Sequence, residues 1–180
     1  MIMAGLAVLS VAPLLSSTAS LIFTFSEDIF LRGFVHASPT PAEVQLRHHA
    51  NRILPTHLNH FFRPGLTIIF TTYPLSIATA AANIARHDTQ VNISGLGATA
   101  KAAAGFYIAG LAFSVLHFPF GPTAMRYIKQ MREDQGVEGK EKEDNVAIMG
   151  KWLKINAIRG AVADFPAWAC YFVAFVLSMS

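Results

Sequence analysis

Residues 2–26 read IMAGLAVLSVAPLLSSTASLIFTFS, a run without a single charged side chain. As a helix rising ~1.5 Å per residue, this run covers a hydrocarbon core ~30 Å thick. A cleaved signal peptide is the competing reading, because Ser17, Thr18, Ala19 and Ser20 are small residues that follow an apolar segment. Against it, no basic residue precedes the run, and apolar character resumes at 21–25. The rest of the chain repeats the pattern. There are 22 uncharged residues between Arg63 and Arg86 and 24 between Lys101 and Arg126, while from about Gly160 onward Asp164 is the only charge. The expected fold is therefore an all-α integral membrane four-helix bundle, one transmembrane domain with spans at about 2–26, 64–85, 102–125 and 160–179. A long cytosolic loop is expected between spans one and two. Pro74 in span two, and Pro119 with Pro122 in span three, should kink or loosen their helices.

Composition agrees. Of 180 residues, 53% are hydrophobic and 14% charged, with a mean hydropathy of +0.41, which excludes an ordinary water-soluble core. The single cysteine, Cys170, lies in an apolar run, so neither an intramolecular disulfide nor a thiolate zinc site holds the fold. A net charge of +3 and a pI near 9.2 do not indicate nucleic acid, because the basic residues alternate with acidic ones next to apolar spans.

The Lys and Arg residues set the expected orientation. Arg32, Arg47, Arg52 and Arg63 lie between spans one and two; Arg126, Lys129, Arg132, Lys140, Lys142, Lys151, Lys154 and Arg159 lie between or flank spans three and four. Only Arg86 and Lys101 fall on the other side. The positive-inside rule then puts both larger loops in the cytosol and both termini in a lumen, which suits a multi-pass protein of the endoplasmic reticulum or another endomembrane. The sequon Asn92-Ile93-Ser94 falls in the short lumenal connection and makes Asn92 a glycosylation candidate. Residues 133–150, rich in Lys, Glu, Asp and Gly, read as a mobile charged loop. Ala102, Ala103, Ala104, Gly105, Ala109, Gly110 and Ala112 give span three a surface that another helix can approach closely.

Polar groups inside a span are costly and mark candidate chemistry. His117 lies nine residues before Arg126, and Asp164 five after Arg159. Both fall roughly 7 to 14 Å inside the same leaflet at ~1.5 Å per residue, where they can face each other as a base and its orienting carboxylate or as a plain helix-bridging hydrogen bond. Five of seven histidines, His36, His48, His49, His57 and His60, lie in the first cytosolic loop. His57 and His60 share a helix face, with His49 a third nitrogen for a metal, although Pro55 is expected to break the helix between them and no carboxylate sits at a matching offset. A metal-free catalytic role for His57 or His60, and plain solvated side chains, remain the other readings. No metal is expected. Finally, Trp152, Asn156 and Arg159, at i, i+4 and i+7, form one polar stripe leading into span four, either a binding face or an interfacial anchor.

Span order, a long first loop and the Trp152-x3-Asn156-x2-Arg159 pattern resemble the anthrone oxygenase family of fungal-type membrane proteins, and Leu58, Phe61, Phe62 and Gly65 stand where that family places aromatic residues followed by a glycine. The resemblance implies oxidation of an aromatic polyketide anthrone to an anthraquinone in secondary metabolite biosynthesis, with O2 as co-substrate and no cofactor. Such a reaction needs a base, assigned to His117 supported by Asp164, or to His57 or His60. It also needs oxyanion donors and binding groups, assigned to Arg159 and Asn156 with Trp152, and an apolar slot to which Phe165, Trp168 and Phe172 contribute. The expected partners are the aromatic substrate, the lipid bilayer and other enzymes of the pathway, with no nucleic acid. A non-enzymatic membrane scaffold, or a small proton-coupled transporter using His117 and Asp164 as a relay, is the alternative from another class.

Overall fold

The computed structural model describes residues 2–35, 41–90, 97–134 and 144–179. Every regular element among them is helical: α1 (Ile2–Arg32), α2 (Pro41–Gln90), α3 (Ala98–Leu116), a 3-10 turn (Phe118–Phe120), α4 (Gly121–Glu133), α5 (Asn145–Arg159), a π turn (Gly160–Asp164) and α6 (Phe165–Ser178). Four helical stretches are long and apolar enough to cross a membrane: Gly5–Arg32, Val44–Arg86, Ala98–Glu133 and Asn145–Ser178. Each extends beyond the uncharged run from which it is predicted.

The chain resolves into two compact units. An apolar unit comprises Met1–Ile22, Ile68–Phe118 and Gly160–Ser180; a charged unit comprises Phe23–Thr67 and Pro119–Arg159.

In the apolar unit, α1 is tied to α2 by Ser16 and Ser76 (2.7 Å between hydroxyl oxygens) and by Ser20 donating to Thr72 (2.7 Å). The Tyr107 hydroxyl of α3 donates to the carbonyl of Ser10, and Trp168 Nε1 of α6 donates to Thr18 Oγ1. Pro13 lacks the N–H that would meet the carbonyl of Leu9, and Asn83 Nδ2 donates to that carbonyl at 2.8 Å, so α1 runs through its proline without a stranded acceptor. The small-residue face of α3 meets α6: a Cβ on Gly110 would lie 2.5 Å from Cε1 of Tyr171, whose hydroxyl is 3.0 Å from Ser114 Oγ.

The charged unit corrects the expected long loop between spans one and two. Most of that stretch is helical, α1 continuing to Arg32 and α2 beginning at Pro41. The reason is an apolar stripe, Ala50, Leu54, Leu58 and Phe61, that packs on Leu31, Met131, Met149, Trp152 and Leu153. Pro55 does not break the helix as predicted. The carbonyl it strands, that of Asn51, accepts from Asn145 Nδ2 at 3.1 Å. Within the predicted mobile stretch 133–150, Glu133 ends α4 and residues 145–150 open α5. Asp144 caps that helix, its Oδ1 accepting from the backbone N–H groups of Val146 (3.0 Å) and Ala147 (3.4 Å). Asn92 and His36 lie outside the described residues.

Candidate functional site

Both interruptions of the long helices coincide with the polar side chains singled out in the sequence. α3 ends at Leu116, so His117 occupies the turn before the 3-10 segment. Pro119 favours this break, since it has no N–H for the carbonyl of Val115 four residues earlier. Asp164 closes the π turn, where Pro166, two residues on, has no N–H for the carbonyl of Val162. Nδ1 of His117 lies 2.9 Å from Oδ1 of Asp164, and both residues are about 5% exposed or less. An ionised Asp164 paired with a neutral imidazole would accept from Nδ1 and place the ring lone pair on Nε2.

The ring of Tyr73, also buried, lies against the imidazole at a tilt of 38° with centroids 3.7 Å apart, and Phe118 meets the imidazole edge-on at 5.8 Å. A cavity of about 10 Å³, measured at the centre of a water-sized sphere, is bordered by Asp164, Tyr73, Ser17, Ser20, Ser76, Ser114 and Ala167. Its size is about that of one water molecule. Tyr73 and the serines were not picked out from the sequence. The only signal for them was their hydroxyls in otherwise apolar spans.

The charged unit holds a second buried polar cluster. Arg159, 5% exposed, donates to Thr24 Oγ1 at 3.1 Å and lies 3.7 Å from Oε2 of Glu27, itself 5% exposed. Asn156 Nδ2 reaches the carbonyl of Thr24 at 3.5 Å. Glu27 was missed from the sequence because it reads as the first charge after an apolar run. Trp152 shares the buried face of α5 with Asn156 and Arg159 and packs in the apolar core with Leu54 and Leu58.

The remaining candidates separate from these clusters. His57 and His60 are exposed on α2, where His57 stacks on Phe61 with centroids 6.4 Å apart and meets the tilted ring of Phe34 at 5.4 Å. His49 borders a groove of about 250 Å³ with Phe30, Phe34, Leu46 and Arg47. Among the described residues no three His, Cys, Asp or Glu side chains are grouped to hold a metal ion. Phe165, Trp168 and Phe172 form a stacked ladder along α6, centroids 5.8 Å apart at each step, with Phe165 and Phe172 about half exposed. Of the family-like residues before span two, Leu58 is core and Gly65 lies against the Phe23 ring, which stacks on Phe61.

No protein-family model and no solved structure matches the chain. Among curated proteins it is 33% identical to epoxidase gkaX of Penicillium citrinum over 97% of each chain. It is also 29% identical to the probable epoxidase scpX of Mollisia scopiformis over 92% of each. Epoxidase pydX of Acremonium sp. is 27% identical over 94% of this chain and 93% of its own. With a third of its residues identical to gkaX along nearly the full length of both, the chain belongs to the anthrone oxygenase-like family of fungal proteins that includes these epoxidases.

Proposed function

We propose that the protein is a membrane-embedded tailoring oxygenase that uses O2, without flavin, haem or metal, to oxidise a flat, electron-rich aromatic polyketide. The observation that carries this reading is the buried His117–Asp164 pair, at 2.9 Å, under the Tyr73 ring. Asp164 holds the imidazole with Nε2 basic, and burial keeps water away from the reacting centre. His117 takes a proton from the substrate, and the resulting delocalised anion is reducing enough to react with O2 itself.

For an anthrone, the two hydrogens of the central methylene leave as protons, one oxygen atom becomes the new carbonyl, and the other departs with both protons as water. The names of the three relatives favour a second outcome of the same base-first chemistry. A hydroquinone-type ring plus O2 gives an epoxyquinone and water, again in balance without an external reductant. The basic residues gathered in the charged unit favour a cytosolic placement of that unit, with both termini lumenal.

The test is turnover under 18O2 by membranes carrying the protein, offered an anthrone and, separately, a naphthohydroquinone. One labelled oxygen in the product, at a rate well above that of heat-treated membranes, is the expected result. Equal rates for both substrates before and after heating would remove the oxygenase reading and leave the proton-relay alternative.

A further inference from the structure

The small cavity beside Asp164 lies wholly within the apolar unit, with walls from α1, α2, α3, the π turn and α6. A serine hydroxyl has one hydrogen to donate and two lone pairs with which to accept. Around this cavity most of the hydrogens are already engaged. Ser17 donates to the carbonyl of Leu14 at 3.0 Å. Ser20 donates to Thr72 Oγ1 at 2.7 Å, and the hydrogen of Thr72 goes to the carbonyl of Ile68 at 2.8 Å. Ser76 and Ser16 lie 2.7 Å apart, and each also reaches a backbone carbonyl at 2.9 Å, that of Thr72 and that of Ala12. Whichever of the two donates to the other, both hydrogens of the pair are used.

The serines of α1 and α2 therefore turn lone pairs toward the cavity, and the buried Asp164 carboxylate adds its own. Ser114, 3.0 Å from the Tyr171 hydroxyl, is the lining serine whose hydrogen is free to turn inward when the tyrosine donates to it. Buried acceptors facing one another without a donor are costly, so the space suits a guest that donates in two directions and accepts in a third. At about 10 Å³, measured at the centre of a water-sized sphere, it admits one such molecule.

We propose that this cavity is the binding site of a single structural water, which donates to Asp164 and to a serine of α1 or α2 and accepts from Ser114. The water gives the carboxylate that orients His117 a donor in addition to the imidazole, and it links α1, α2 and α3 to the π turn through one molecule. A dry packing void and a sodium ion held by the same oxygens are the competing occupancies. The site goes beyond the proposed reaction and holds whichever chemistry the His117–Asp164 pair serves.

Ala167, 2% exposed, borders the cavity, so an atom added at its Cβ competes for the same space. Ala167→Ser and Ala167→Cys each add one such atom, a strong donor in the first and a weak one in the second. In the full chain purified in detergent, the serine variant should melt within about 2 °C of the wild type, its hydroxyl standing in for the water. The cysteine variant should melt about 4 °C or more below the serine variant. A cysteine variant as stable as the serine variant, or more stable, overturns the proposal, because a weakly polar filler improves only a dry void.

The wild type supplies a second measurement that needs no variant to fold. At a resolution that shows ordered solvent, one peak should lie about 2.7–3.2 Å from Asp164 and from at least two serine oxygens. A cavity without a peak overturns the proposal. So does a peak with its oxygens at about 2.3–2.5 Å together with a thermal midpoint that rises by several degrees when sodium replaces N-methylglucamine, since these mark a bound cation.

Discussion

The two units bury polar groups by different means. The apolar unit contains two of the fourteen Lys and Arg residues and two of the eleven Asp and Glu residues, and its segments are joined by hydroxyls, an amide and the His117–Asp164 pair. The charged unit holds all the other charged residues, and there helices meet through Leu and Met packing together with charged contacts such as Arg47–Asp144, Arg132–Asn59 and Arg159–Glu27. Both use the same repair for a proline inside a helix, an asparagine side chain donating to the stranded carbonyl. The difference teaches that backbone satisfaction is required everywhere, whereas the number of charges a unit tolerates depends on whether water can reach it.

The comparison breaks most sharply at the candidate base. His117→Ala and Asp164→Asn should each lower turnover by roughly 100-fold or more if this pair removes the substrate proton. His57→Ala and His60→Ala, on the exposed face of the charged unit, should leave the rate within about threefold; a large loss there with none at His117 would move the chemistry to these α2 histidines. Next in size is Gly110→Ala. The added methyl meets a fully buried Tyr171 ring already engaged with Ser114, and overpacking of this kind costs about 1–3 kcal/mol, read as a lower thermal midpoint in detergent.

The two proline repairs sharpen the contrast. Asn83→Ala should cost about 1–3 kcal/mol, because no water replaces the amide at the carbonyl of Leu9 in an apolar setting. Asn145→Ala should cost nearer 1 kcal/mol, since Asn51 and Asp134 are only half-buried and water can take the amide's place. Equal losses would show that the apolar unit is as hydrated as the other.

The smallest effect is electrostatic. Burial alone would raise the Asp144 carboxyl, but hydrogen bonds from Arg47 and Asn51, the Arg47 charge and the Ala147 N–H together hold it below the ordinary carboxylate range. A lowered folded-state pKa stabilises fully above the ordinary value and is lost as pH falls through the folded value. Arg47→Ala should therefore cost about 0.2–1 kcal/mol at neutral pH, less in high salt and nothing at pH values well below ~4, because Arg47 and Asp144 are 43% and 34% exposed. Denaturation midpoints of the two proteins across pH would show it.

Much of this was legible in the residues. Runs without charge marked the helices, and the depths counted from Arg126 and Arg159 placed His117 and Asp164 at matching levels before any contact was known. What was misread shares one cause. The stretch from Ala50 to Phe61 carries its apolar residues at helical spacing, yet its Arg and His residues and Pro55 suggested a loop. Whether a proline ends a helix depends on what reaches the carbonyl it strands, and Asn145 is 94 residues away from Asn51. Glu27 was overlooked for a similar reason, since burial next to Arg159 is a property of two distant segments.

By itself the sequence determined that this is an all-helical chain with spans able to cross a membrane, and that its charges concentrate away from those spans. Composition and periodicity decide these matters because they depend on each residue's own transfer energy and on backbone geometry. Only the tertiary structure decided that His117 bonds Asp164 beneath Tyr73, that Glu27 meets Arg159, and that asparagines meet the carbonyls stranded by Pro13 and Pro55. Those depend on polar partners brought within 2.7 to 3.7 Å of each other from positions 47 to 132 residues apart, a proximity no local pattern encodes.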